Sequence, residues 1–309
     1  MLRSWLTMLV AIGVWSSGLW SMAHDGPEHE IDELTAQMKV QGESSDLLIQ
    51  RAIEYNILGR FPDAAKDLER ALDLDESSLV AQRELSQTYF SLGKTNEALT
   101  TITRALRPSV DTPEQASLHM VRVGILQARR EYGKALADAN EAIRKFPQNA
   151  EWYLVRSQLQ GVLKEKHERV TGLERGIEET GSGLLTGELV DALIEDGQHV
   201  RAAETVAQEL KENRWQASWL IRRAKISLAT GRSREAKNDL TAAVEEINKR
   251  LGPNAVDPLL LADRGLAYEL LGKRDDARRD YRTARQKGLA DEWVRERIRA
   301  LRESPKDEE

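Results

Sequence analysis

One arrangement of small and large apolar residues occurs twice between Leu48 and Ala105, at an unchanged offset of 34 residues. Ala52, Tyr55, Gly59, Ala64, Leu68 and Ala71 in the first copy become Ser86, Tyr89, Gly93, Ala98, Ile102 and Ala105 in the second, and four of the six are identical. Each copy predicts two short amphipathic helices interrupted at the glycine. The small residues fall where facing helices approach to about 8–10 Å, a spacing that larger side chains would widen. A lone helix pair of this kind cannot bury its apolar face, so a chain built from such pairs must stack them.

The pattern continues at lower fidelity. The first unit spans about Ser45–Ser78 and the second Leu79 to about Thr112. In the third, Ala116–Asn149, Arg122 and Val123 replace a large and a small residue, while Tyr132, Ala135, Ala139, Ala142 and Pro147 restore the pattern. The bulky Val123 predicts disturbed packing there. The fourth unit, Ala150 to about Gly183, keeps Trp152, Tyr153, Ser157, Leu173 and Gly176 but carries Arg169 at its first alanine position, which makes it the most degenerate. The fifth, about Gly183–Gln216, has Gly197 and Ala202 with Glu209 at the last small position. The sixth, Ala217 to about Arg250, keeps Leu220, Ala224, Gly231, Ala236, Leu240 and Ala243. The seventh matches best, with Leu261, Gly265, Tyr268, Gly272, Ala277, Tyr281 and Ala284. Longer breaks are expected at Pro108–Pro113 and Gly252–Pro258. After Gly288, Asp291–Arg302 predicts a closing helix with Trp293, Val294, Ile298 and Leu301 on one face, followed by an acidic tail, Glu303–Glu309.

This spacing resembles the tetratricopeptide repeat family. The resemblance implies an all-α, right-handed superhelix of about seven helix pairs over residues 45–289 with a capping helix in 290–309. It further implies a concave groove, lined by the first helices, that holds peptide or protein partners. In family terms the groove positions are the second, fifth, ninth and twelfth of each unit. They are Ile49, Ile53 and Asn56, then Arg83, Gln87 and Phe90, then Met120 and Gln127, then Leu154, Gln158, Ile221 and Lys225. This mixture suits a peptide with apolar anchors. The paired Asn and Lys residues with which some relatives grip a C-terminal carboxylate are missing.

Residues 1–23 form a separate segment, with Arg3 as a positive start, an apolar run from Leu6 to Trp20, and a small-x-small site at Ser21, Met22 and Ala23. That pattern predicts a cleavable signal peptide. An uncleaved anchor is the alternative, since the run approaches the roughly 20 residues of a spanning helix. Cleavage implies export to the periplasm or beyond and no stable membrane insertion. The segment 24–44 is then an acidic leader followed by a helix from about Glu30 to Val40. His24 and His29, among carboxylates, are candidate ligands for copper or zinc, and a metal-handling envelope protein is the second functional expectation.

Composition narrows the remaining chemistry. There is no cysteine, which removes disulfides, thiolate sites and cysteine nucleophiles. A net charge of −6 gives no global case for nucleic acid. The arginine-rich stretch from Arg274 to Arg302 reads as a salt-bridged helix face, with Asp275 four residues before Arg279 and Glu292 three before Arg295. His119, His167 and His199 lie in different units and read as packing or surface residues. Gly181, Ser182, Gly183 and Gly187 have the wrong spacing for a phosphate loop. No catalytic set or cofactor loop emerges, so the chain reads as a non-enzymatic scaffold.

Overall fold

The computed structural model describes residues 26–106, 113–252, 257–289 and 292–303. The signal segment, His24, the linker around Pro108, the break around Pro253 and the tail beyond Glu303 lie outside the described residues. Every regular element among the described residues is a helix, and there are sixteen. Helix α1 (Pro27–Gln41) starts earlier than the sequence suggests. Gly26 serves as its N-cap and Pro27, which lacks an amide, occupies the first turn.

Seven hairpins follow. They are α2 (Ser45–Ile57) with α3 (Phe61–Leu74), α4 (Leu79–Ser91) with α5 (Thr95–Ala105), α6 (Pro113–Ala128) with α7 (Tyr132–Lys145), and α8 (Ala150–Leu163) with α9 (Lys166–Thr180). Then come α10 (Leu184–Glu195) with α11 (His199–Glu212), α12 (Ala217–Ala229) with α13 (Ser233–Arg250), and α14 (Pro258–Leu270) with α15 (Arg274–Gln286). Helix α16 (Glu292–Glu303) closes the series, as expected.

The hairpin turn explains the glycine of the motif. Gly59, Gly93, Gly197, Gly231 and Gly272 adopt φ of 70–79°, the left-handed region that only glycine enters without steric cost. At the equivalent place in the third and fourth hairpins stand Arg130 and Lys164, with φ of 60° and 63°. The turn geometry is thus kept in all seven even where its residue is lost.

Small residues occupy the close-approach seats. Ala52, Ala64 and Ala71, and likewise Ala224, Ala236 and Ala243, are completely buried. Val123 is also completely buried, so the third hairpin accommodates it. Apolar clusters extend from one hairpin to the next: Leu34 and Met38 of α1 share a core with Leu48, Leu68 and Leu85. Trp293, Val294 and Ile298 of α16 share another with Tyr281 and Leu261.

A second, polar brace recurs. Arg51 Nε and Nη2 donate to Asp67 at 2.7 and 2.8 Å, and the same bidentate fork joins Arg122 to Asp138, Arg223 to Asp239 and Arg264 to Asp280. Each pair ties the first helix of a hairpin to its second, sixteen residues on. The carboxylate raises the pKa of Arg51, Arg223 and Arg264 chiefly through that hydrogen bond.

The described residues fall into two compact units, one ending at Phe146 and one beginning at Pro147. Within the first, α2 packs on α4 and α4 on α6; within the second, α8 packs on α10 and α10 on α12. First helices therefore form one face of each unit. No described helix is long and apolar enough to cross a membrane.

Candidate functional site

In the unit ending at Phe146, the expected groove residues stand on α2, α4 and α6. Ile49 is buried, while Ile53, Asn56, Arg83, Gln87, Phe90, Met120 and Gln127 are half-buried. Asn56 Nδ2 donates to Thr88 Oγ1 at 2.9 Å, linking α2 to α4. Arg83 forks onto its neighbour Glu84 and lies at 3.5 Å from Ser117. Phe90 packs at the edge of the cluster formed by Ile102, Leu118 and Ile125. Several of these side chains thus join successive first helices as well as facing outward.

In the unit starting at Pro147, Leu154 is half-buried and Gln158 is buried. Ile221 and Lys225 have a more defined setting. They line a cavity of about 210 Å³ between α10, α12, α14 and α16. Ile194, Ile221, Leu266, Leu270 and Trp293 give it an apolar wall, and Glu188, Asp191, Glu195 and Asp263 bring carboxylates to it.

Arg169 explains the degenerate fourth hairpin. It sits at a seat reserved elsewhere for alanine and is only 3% exposed. Ser157, the small residue facing it, makes room and accepts from Nε at 2.9 Å. Its Nη1 donates to Glu195 at 2.6 Å and its Nη2 to Glu188 at 2.5 Å. Burial opposes the charge, and the two glutamates outweigh it, so the pKa of Arg169 is raised. On the same face of α10, Arg222 and Lys225 both hold Asp191, and Arg297 holds Glu269. The sequence alone does not disclose this site, because within the repeat pattern Arg169 is only a departure. The available signal is the coincidence of Arg169 with Ser157 twelve residues earlier and with Glu188 and Glu195 on one face of the next first helix.

Of the metal candidates, His29 lies on α1 with Nε2 at 3.2 Å from Glu33, both exposed. Among the described residues no group of three or more potential metal ligands occurs. In the arginine-rich stretch Asp275 pairs with Arg278 and Asp276 with Arg279, one helical turn apart, rather than Asp275 with Arg279.

Residues 57–119 match the family model of the tetratricopeptide repeat. That stretch of the chain carries the tetratricopeptide repeat. The hairpins on either side of the matched segment repeat its turn and its seats, and solved structures agree at the level of the fold. A tetratricopeptide repeat protein from Parabacteroides merdae is 18% identical, with 84% of this chain and 98% of that chain covered at a TM-score of 0.58. PilF of Pseudomonas aeruginosa is 17% identical, with 79% and 98% covered at a TM-score of 0.50. No curated protein matches the sequence.

Proposed function

We propose that this tetratricopeptide-repeat chain is a non-enzymatic scaffold of the cell envelope that captures peptide segments of protein partners on its first-helix faces. The observation that carries the reading is the packing of first helix on first helix, which lines up half-buried Ile53, Gln87, Phe90 and Met120 along one face. Such side chains cover apolar surface on contact while losing little rotamer freedom, because their neighbours already restrict them. Extended and helical peptides with apolar anchors suit a surface of this composition. Export follows from the signal-like segment 1–23, whose removal is checked by the N-terminal residue of the protein recovered from its native cells. The binding reading is tested by placing a photo-crosslinking amino acid at Phe90 or Met120, with Leu74 on a second helix as the control.

A further inference from the structure

The net charge of −6 is spread unevenly along the chain. Residues 26–46, which hold α1 and the start of α2, carry six carboxylates and one lysine. Residues 273–289, which hold α15, carry seven Lys and Arg against three Asp. One of those three, Asp280, is buried and spent on Arg264. The first and last helices of the array therefore bear opposite charge.

Partners within the chain account for only part of each cluster. On α15, Asp275 pairs with Arg278 and Asp276 with Arg279, and Arg278 Nη2 also donates to the Leu301 carbonyl of α16 at 2.6 Å. Arg282, Arg285 and Lys287 are exposed and have no carboxylate partner among the described residues. Arg282 lines one depression of the surface with Asp275, Arg278, Arg279, Thr283 and Gln286, so the unspent charge sits in a face rather than on an isolated tip.

On α1, His29 takes Glu33, and the helix dipole favours Glu28 and Glu30 in the first turn. Asp32 lies beyond that turn and has no cationic partner among the described residues. It begins an exposed line, Asp32, Ala36 and Val40 at four-residue spacing, on the side of α1 away from buried Ile31, Leu34 and Met38. Val40 is 84% exposed, the highest value for a large apolar side chain among the described residues.

We infer that the basic face of α15 docks on the acidic outer side of α1 in a second copy of this chain. Hairpins inside an array are covered on both sides, whereas its end elements have a sequence neighbour on one side only. Here those ends are complementary in sign, so the chain itself supplies both halves of the contact. The two surfaces differ, which makes the contact heterologous: a dimer leaves one acidic and one basic end open, and growth continues to rings or filaments. Exposed charges dominate it, so salt weakens it. The inference is independent of the peptide-binding reading above.

Sedimentation equilibrium of the full chain provides the test. At about 50 mM salt the weight-average mass should rise with concentration past that of a dimer, and about 500 mM salt should weaken association at least about tenfold. Arg282→Glu with Arg285→Glu, and separately Glu28→Lys with Asp32→Lys, should each leave the chain monomeric. All four side chains are exposed, and circular dichroism checks that each variant keeps the wild-type helix content. Mixing the two variants should restore association, because one retains the acidic α1 and the other the basic α15. A chain that stays monomeric at every concentration in low salt overturns the inference. So does association that either variant retains at wild-type strength, that the mixture fails to recover, or that high salt leaves unchanged.

Discussion

At the scale of single residues, the fourth hairpin shows how a repeat departs from its own rules. Arg156 occupies the place of Arg51, Arg122, Arg223 and Arg264, but sixteen residues on stands Gly172 in place of an aspartate. Its Nη2 donates instead to the Gly172 carbonyl at 2.7 Å, and burial lowers its pKa, the opposite of what the aspartates do for Arg51, Arg223 and Arg264. A Cβ added at Gly172 meets only the flexible end of Arg156, at 2.8 Å. Gly172→Asp therefore restores the brace. It should stabilise the chain by about 1 kcal/mol beyond Gly172→Asn, the control for helix propensity, measured as the difference in urea midpoints. Loss of that difference in an Arg156→Gln background confirms the pair. His119 gives a prediction with pH. Burial lowers its pKa below 6.5, with Arg122 and Lys145 adding to the effect and Asp138 and Glu141 opposing it. The unfolded chain then takes a proton that the folded chain resists, so this contribution to stability is complete above pH 6.5 and is lost as pH falls from there towards the lowered folded value. Replacing His119 by Gln should flatten the stability profile between pH 7.5 and 5.5 in chemical denaturation. These features are hard to read in the sequence, because small residues carry the repeat pattern. An Arg and an Asp sixteen residues apart look like ordinary surface charge until the hairpin brings them together.

At the scale of the element, the turn glycine is legible in the sequence and its substitutes are not. Gly59 and Gly93 mark a left-handed residue because glycine alone takes that conformation freely. Arg130 and Lys164 take it because the helices on both sides fix the turn, and a side chain there costs about 1–2 kcal/mol. Arg130→Gly and Lys164→Gly should each raise stability by up to about 1 kcal/mol after the entropy gained by the unfolded chain is deducted, read as a rise in thermal midpoint. Helix α16 forms where four apolar residues at helical spacing place it. Helix α1 begins three residues before the expected Glu30, because Pro27 breaks a helix interior but suits a helix start, where its missing amide has no cost.

At the scale of the whole molecule, a period of 34 residues is enough to establish hairpins that cover one another's apolar faces, because within each compact unit a hairpin's neighbours in sequence are also its neighbours in space. The groove positions come from family geometry, and they divide. Phe90 and Met120 stay half-buried, while Ile49 and Gln158 are taken up in packing. The cavity around Asp191 and Glu195 cannot be read from any single unit, since its walls come from four hairpins and the closing helix. The scaffold reading rests on the claim that partners meet the first helices and leave the second helices bare. Site-specific photo-crosslinking in envelope extract measures this directly. Partner adducts are expected from Phe90 and Met120, competed by unlabelled chain, and none from Leu74. Adducts that form equally from Leu74, or that appear only there, would contradict it.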